Sequence, residues 1–363
     1  MDWTLLVPGA LPPAALAPDI IRAMNSPRLA GRLGAARLRS ARQAPERLEG
    51  AAHWSWLAQA FGMDAEALVT APYAWRAAAA PPAPEAGDPP WVAHADPMHM
   101  VVARDHLALT DLADAPLRQS EAAELLELAN EAARTATVAA SGGPATLRFA
   151  IRGGNWFLLC DRPLELRTVA LDAVLGRSVQ QRMPEGSHAR ALRILVNDIQ
   201  MRWHASEVNA AREERGERPA NALWMHGAGA WQPLPGSAPR NVPSAGGALD
   251  AAILRGWHEA AAPSSGAPAG RLSVFGALFA PYAHRSWNAW LERVPALEQA
   301  LEDLAAQAQA EGAREIELVL CGQREARSFA LPLQASWWRR AWPGGATQPS
   351  AAALLRSLGE EDR

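Results

Sequence analysis

Acid, imidazole and guanidinium side chains crowd two short stretches of this chain. The first is Ala95-Asp96-Pro97-Met98-His99 followed by Arg104-Asp105-His106. Groups of these three kinds, brought into one cleft, can move protons and hold a charged substrate. The second runs from His204 through Asn209, Arg212, Arg215 and Gly216 to Pro219-Ala220-Asn221, His226 and Gly227-Ala228-Gly229. An arginine fork grips a carboxylate or phosphate at two points. Glycines beside it let the backbone come close and offer N–H groups to an anion. Each stretch also has a plain structural reading: local ion pairs in turn-rich strands for the first, a helix stop followed by a strand and turn for the second.

The elements that must position these groups follow from the apolar pattern. Trp3 to Val7 is expected as a buried strand stopped by Pro8-Gly9, followed by a helix over 26–42 with Ser26 as cap and Pro27 at its first position. His53 to Phe61 is a further helical segment. Ala77 to Pro90 (AAAAPPAPEAGDPP) is a linker. Beyond it, 91–108 alternates like strands with turns, and Ser120 is expected to cap a helix. Ala145 to Ile151 and Asn155 to Cys160 form a hairpin around Gly153-Gly154. A long helical pattern covers 187–214, and Ala222 to Met225 is a short strand. Loop zones rich in Pro, Gly and Ser run from Pro233 to Gly247 and from Ala261 to Gly270, on either side of a helix over 248–260. Leu272 to Phe279 and Ile316 to Leu320 read as strands, with a long helix from Trp287 to Glu311 between them. The expected class is α/β: a core with a largely parallel sheet formed by 1–88 and 232–345, interrupted by an α+β domain over 89–231, with a loose tail over 346–363.

Composition narrows the function. The chain has 363 residues, 49% hydrophobic and 20% charged, with a net charge of −3. Those values suit a globular protein and speak against a nucleic-acid partner. All 35 basic residues are arginine, so Schiff-base or lysine-base catalysis is excluded. The two cysteines, Cys160 and Cys321, supply neither a disulfide framework nor a zinc quartet and end apolar runs. No stretch has the length of a transmembrane helix, and the apolar start lacks a basic flank and is broken by Pro8, Pro12 and Pro13. A cytoplasmic protein with no membrane partner is expected. Among the fifteen tryptophans, Trp337, Trp338 and Trp342 crowd Arg339 and Arg340, a composition that suits either core filling or a protein contact.

The stretch VNAAREERGERPANALWMHGAG over 208–229 resembles a block of the archaeal-type cofactor-independent phosphoglycerate mutases, through Asn209, Arg212, Gly216, Pro219, Ala220, Asn221, Gly227, Ala228 and Gly229. The chain is more similar still to the RpfE-type regulatory proteins, through Ala95-Asp96-Pro97, His99, Arg104-Asp105 and Asn197-Asp198-Ile199-Gln200-Met201. The resemblance implies an alkaline-phosphatase-like α/β core with an inserted domain. In the mutases that core holds two metals and a serine nucleophile.

The parts that do the chemistry are not matched. Where those enzymes end the first strand in Asp-Gly, this chain has Pro8-Gly9. Ser26-Pro27-Arg28-Leu29 echoes the family's next helix start. Within Gly50-Ala51-Ala52-His53-Trp54-Ser55-Trp56-Leu57, the nucleophile position falls on Ala51, with Ser55 a helical turn further on. A late Asp-x-x-Gly-His becomes Ala280 to His284, and the strand that should end in Asp-His ends in Cys321-Gly322. The expectation is therefore a phosphoglycerate-mutase-like protein without catalysis, metal or other cofactor, in a regulatory or ligand-sensing role. The alternative is an active cofactor-independent mutase or phosphohydrolase. The expected partners are a small phosphorylated or carboxylated ligand and an unnamed protein. The residues expected to hold the ligand are Asp96, His99, Arg104, Asp105, His204, Asn209, Arg212 and Asn221.

Overall fold

Trp3–Val7 carries five buried residues in a row, as a central parallel strand should. In the computed structural model, which describes residues 3–24, 26–78, 88–102, 106–234, 239–241, 251–261, 270–333 and 358, this strand lies between Arg271–Val274 and Glu315–Cys321, parallel to both. The full sheet runs Arg240–Asn241, Arg271–Val274, Trp3–Val7, Glu315–Cys321, Glu325–Pro332, Arg37–Gln43. Its last two strands are antiparallel, so the sheet is mixed and the fold α/β.

Chain contacts divide the protein into two units. One comprises Met1–Glu66, Leu234–Ala251 and Ala261–Arg363; the other comprises Ala67–Pro233 and Ala252–Ala260. The first unit's core packs Leu5, Val7, Leu318 and Leu320 against Val294, Leu297 and Leu301 of the helix Trp287–Ala310. Leu358 also joins that core in helical conformation; the rest of the tail from Gly344, the Trp337–Trp342 cluster and most of the Ala77–Pro90 linker lie outside the described residues.

The sequence-based expectation of one helix over 26–42 is corrected here. The helix is Pro27–Gly34, and Arg37–Gln43 is an edge strand paired with Glu325–Pro332. Arg32 on that helix binds Glu302 through two parallel hydrogen bonds of 2.9 and 2.7 Å. The strand expected to reach Phe279 stops at Val274, and Phe279–Ala283 is a short helix.

In the second unit the strand Trp91–Val102 is central. It pairs antiparallel with Asn155–Cys160, with Leu107–Thr110 and with Ala222–Gly229. The hairpin of Leu147–Arg152 with Asn155–Cys160 turns on Gly153 and Gly154, whose φ values of 58° and 83° suit a tight two-residue turn. The helix Gln119–Thr135 packs Leu125 and Ala129 into this unit's core. Its cap is Arg118 rather than Ser120: the Glu121 carboxylate accepts the Arg118 backbone N–H at 2.9 Å. The expected long helix is two, Ala189–His204 and Glu207–Glu214, because Ser206 caps the second by accepting from the Asn209 N–H.

Candidate functional site

The carboxyl end of the parallel strands is where α/β sheets of this kind bind ligands. In the first unit, the chain leaving Trp3–Val7 passes Pro8-Gly9 to Ala10 and Leu11, whose N–H groups both donate to the Cys321 carbonyl. Ala10, Leu11, Ala51, Phe275, Leu278 and Cys321 are all buried there. Gly9, at φ 69°, has no room for a side chain beside Leu278, Phe279 and Tyr282, and its carbonyl accepts the Trp290 indole N–H at 2.8 Å. Gly50 donates to the Gln323 carbonyl, which ties Ala51 to the end of Glu315–Cys321.

Burial pushes the Cys321 thiol far up, so it stays a neutral thiol and is no nucleophile at ordinary pH. His53, the nearby imidazole on Ala52–Ala60, is buried edge-on to the Phe279 ring. His284 is exposed. The side chains of Pro8, Ala51 and Cys321 carry no carboxylate, imidazole or hydroxyl, the groups a two-metal phosphoryl site is built from. Among the described residues, no three His, Cys, Asp or Glu side chains stand together as a metal site needs. The residues present do not fit a metal pair.

The second unit keeps its polar groups but turns many of them inward. Arg212 is wholly buried. Its guanidinium donates to the Arg218 carbonyl at 2.8 Å, to Glu121 at 2.8 Å and to the Ala115 carbonyl at 2.5 Å. Arg215 and Arg118 close the same network onto Glu121 and Glu217. Burial pushes the Glu121 carboxyl up, but the Arg118 N–H and the Arg212 guanidinium outweigh it and hold the carboxyl below its usual range. Asn209, also buried, donates to the Trp203 and Ala220 carbonyls and accepts the Ala220 N–H. Asn221 accepts the Met100 N–H at 2.6 Å and donates back to the Met100 carbonyl at 3.1 Å. The His99 Nδ1 lies 2.8 Å from the Pro219 carbonyl. These four residues, expected at a ligand, clamp the strand Trp91–Val102 and the turn after Glu207–Glu214 instead. His204 is exposed at the end of its helix and is not among them. Arg104 and Asp105 lie outside the described residues.

Gly227-Ala228-Gly229 is likewise part of a strand and not an anion loop. The Gly227 carbonyl accepts the Thr70 N–H at 3.0 Å, and a Cβ on Gly227 would sit 1.9 Å from the Thr70 Oγ1. At Gly229 a Cβ would press on Val69. The glycines are required by this close packing.

One polar group of a different kind remains. Asp96 meets His226 Nε2 at 2.6 Å, and both stay partly exposed. Behind them His94 stacks on the His226 ring, with centroids 4.6 Å apart and planes 15° from parallel. His94 was not picked out from the sequence, and neither was Thr70. The available signal was the i, i+2 spacing of His94 and Asp96, which puts both on one face of a strand.

No family model matches the chain, and no curated protein matches it in sequence. Solved structures resemble it, and two of them follow. The PH0037 protein from Pyrococcus horikoshii is 12% identical, with 100% of this chain and 99% of that one aligned, at a TM-score of 0.47. A cofactor-independent phosphoglycerate mutase from Thermoplasma acidophilum is 13% identical, with 99% and 100% aligned, at a TM-score of 0.37. Among the described residues, no helix is long and apolar enough to cross a membrane.

Proposed function

We propose that this chain is a phosphoglycerate-mutase-like protein with an alkaline-phosphatase-like core that has given up catalysis and serves a regulatory or ligand-sensing role. The observation that supports the reading is the apolar filling at the carboxyl end of the first unit's parallel strands, at Pro8, Ala51 and Cys321, where the sequence resemblance would put a metal-binding acid, a nucleophile and a further ligand. Phosphoryl transfer depends on charge stabilisation by metals and cations. A buried methyl, a pyrrolidine and a neutral thiol supply none.

Ligand sensing, in this reading, falls to the second unit. Arg212, Asn209, Asn221 and His99 are occupied in holding their own strands, so recognition of a small phosphorylated or carboxylated molecule rests on Arg104 and Asp105, with Asp96 beside them in sequence. Calorimetry with 3-phosphoglycerate, together with a turnover assay in the presence of manganese, tests both halves. The expected result is binding without turnover, weakened about ten- to a hundredfold in Arg104→Ala, the loss of one charge-assisted contact. Turnover would overturn the non-catalytic half; absence of binding at millimolar ligand would overturn the sensing half.

A further inference from the structure

His94 is 2% exposed, and its Nε2 has no hydrogen-bond partner. It sits on the strand Trp91–Val102 directly across from His226 on Ala222–Gly229. The two rings stack, and His226 alone reaches an acid, Asp96, at 2.6 Å. On its other side His94 meets the Phe157 ring, with centroids 5.1 Å apart. Thr70, whose Oγ1 is also buried without a partner, flanks Gly227.

The remaining titratable groups on the surrounding elements are engaged elsewhere. On Ala71–Ala77, the Tyr73 hydroxyl donates to the Gln232 carbonyl, and Arg76 lies over the Trp231 ring and binds Asp88. On Asn155–Cys160 the titratable side chain is the buried Cys160. On Trp91–Val102 itself, His99 faces the Pro219 carbonyl. His226 and Asp96 are thus the groups that act on His94.

We propose that this stack is a proton-triggered latch on the pairing of Trp91–Val102 with Ala222–Gly229: it stays closed while the His94 ring is neutral, and a proton taken up by His94 opens it. A proton on His94 puts a positive charge on a buried ring held between the Phe157 and His226 rings, whose Nε2 has no hydrogen-bond partner. Opening the strand pair brings His94 to water, where it protonates like any histidine. Burial first, and His226 second, push the His94 pKa down to about 3 from 6.5. Between those values the open form binds a proton that the closed form does not, so acid favours opening throughout the interval.

Native-state hydrogen exchange on the full chain from pH 7 to 4.5, corrected for intrinsic rates, reads the latch at the amides of 92–98 and 222–229. Their protection is expected to fall by close to tenfold per pH unit below pH 6.5, while NMR of the closed state shows His94 neutral throughout. In His94→Phe the pH dependence should vanish; His94→Gln serves if the first variant does not fold. A wild type whose protection is flat with pH would overturn the proposal. So would a His94 that titrates near 6.5 with the strands still protected, or a folded variant that keeps the slope.

Discussion

In the first unit, the residues at and after the ends of the parallel strands, Pro8, Ala10, Phe275 and Cys321, are apolar or neutral and buried. In the second, the central strand brings Asp96 to His226 and His99 to the Pro219 carbonyl, and Arg212 lies in a five-membered network of arginines and glutamates. The difference teaches that charge content and chemistry are separate matters. Among the described residues, those that follow the first unit's parallel strands are apolar or neutral, whereas the second unit has charged and polar groups and spends many of them on its own architecture.

The comparison is broken most severely by emptying the second unit's network. Arg212→Ala takes one of three arginine partners from the buried Glu121 and leaves the Arg218 and Ala115 carbonyls unmet, and should destabilise the unit by about 3–5 kcal/mol. Exchange of the second unit's core amides should rise while the first unit's amides hold. The same network predicts an acid response. The Glu121 carboxyl is held below its unfolded value of 4.5, so its contribution is complete above that pH and is lost as pH falls through the lowered folded value. Arg212→Ala should weaken that part of the acid dependence, with the Arg118 N–H left to hold the carboxyl down.

Gly227→Ala comes next. The residue sits at φ 59° and the new Cβ would meet the Thr70 Oγ1. A cost of about 1–3 kcal/mol in urea denaturation is expected from the backbone strain alone. An unchanged midpoint would show that the glycines are not held by packing and would return them to the ligand-binding reading.

The smallest effect is expected in the first unit. Ala51→Ser puts a hydroxyl where the proposed function sets the lost nucleophile but buries it among apolar neighbours, at about 1–2 kcal/mol. It should confer no phosphatase or mutase turnover, because Pro8 and Cys321 still supply no ligand atoms. Turnover in this single variant, assayed with 3-phosphoglycerate, would contradict the difference drawn between the two units.

Much of the fold was legible from local chemistry. Trp3–Val7 stands out as an apolar run closed by Pro-Gly, and the hairpin of Leu147–Arg152 with Asn155–Cys160 follows from its glycine pair. Arg37–Gln43 was not legible: RLRSARQ has neither strand alternation nor an apolar face, and it becomes a strand by pairing at an edge with Glu325–Pro332. Leu38 had suggested that the helix continued, yet it is exposed. The site was harder. An arginine such as Arg212 presents the same donors to a ligand or to its own chain, and only the tertiary placement of Glu121, Ala115 and Arg218 decides between them. His94 gave a weaker signal still, because its meaning depends on His226 lying across the strand pair from it.

The central claim of the proposed function is that the carboxyl end of the first unit's sheet assembles no metal centre. Metal analysis of the native, full-length protein, purified without chelators and followed by turnover with and without added chelator, tests it most directly. The account predicts no stoichiometric manganese or zinc and no mutase turnover in either condition. Metal bound in stoichiometric amount, with turnover of 3-phosphoglycerate abolished by the chelator, would contradict it.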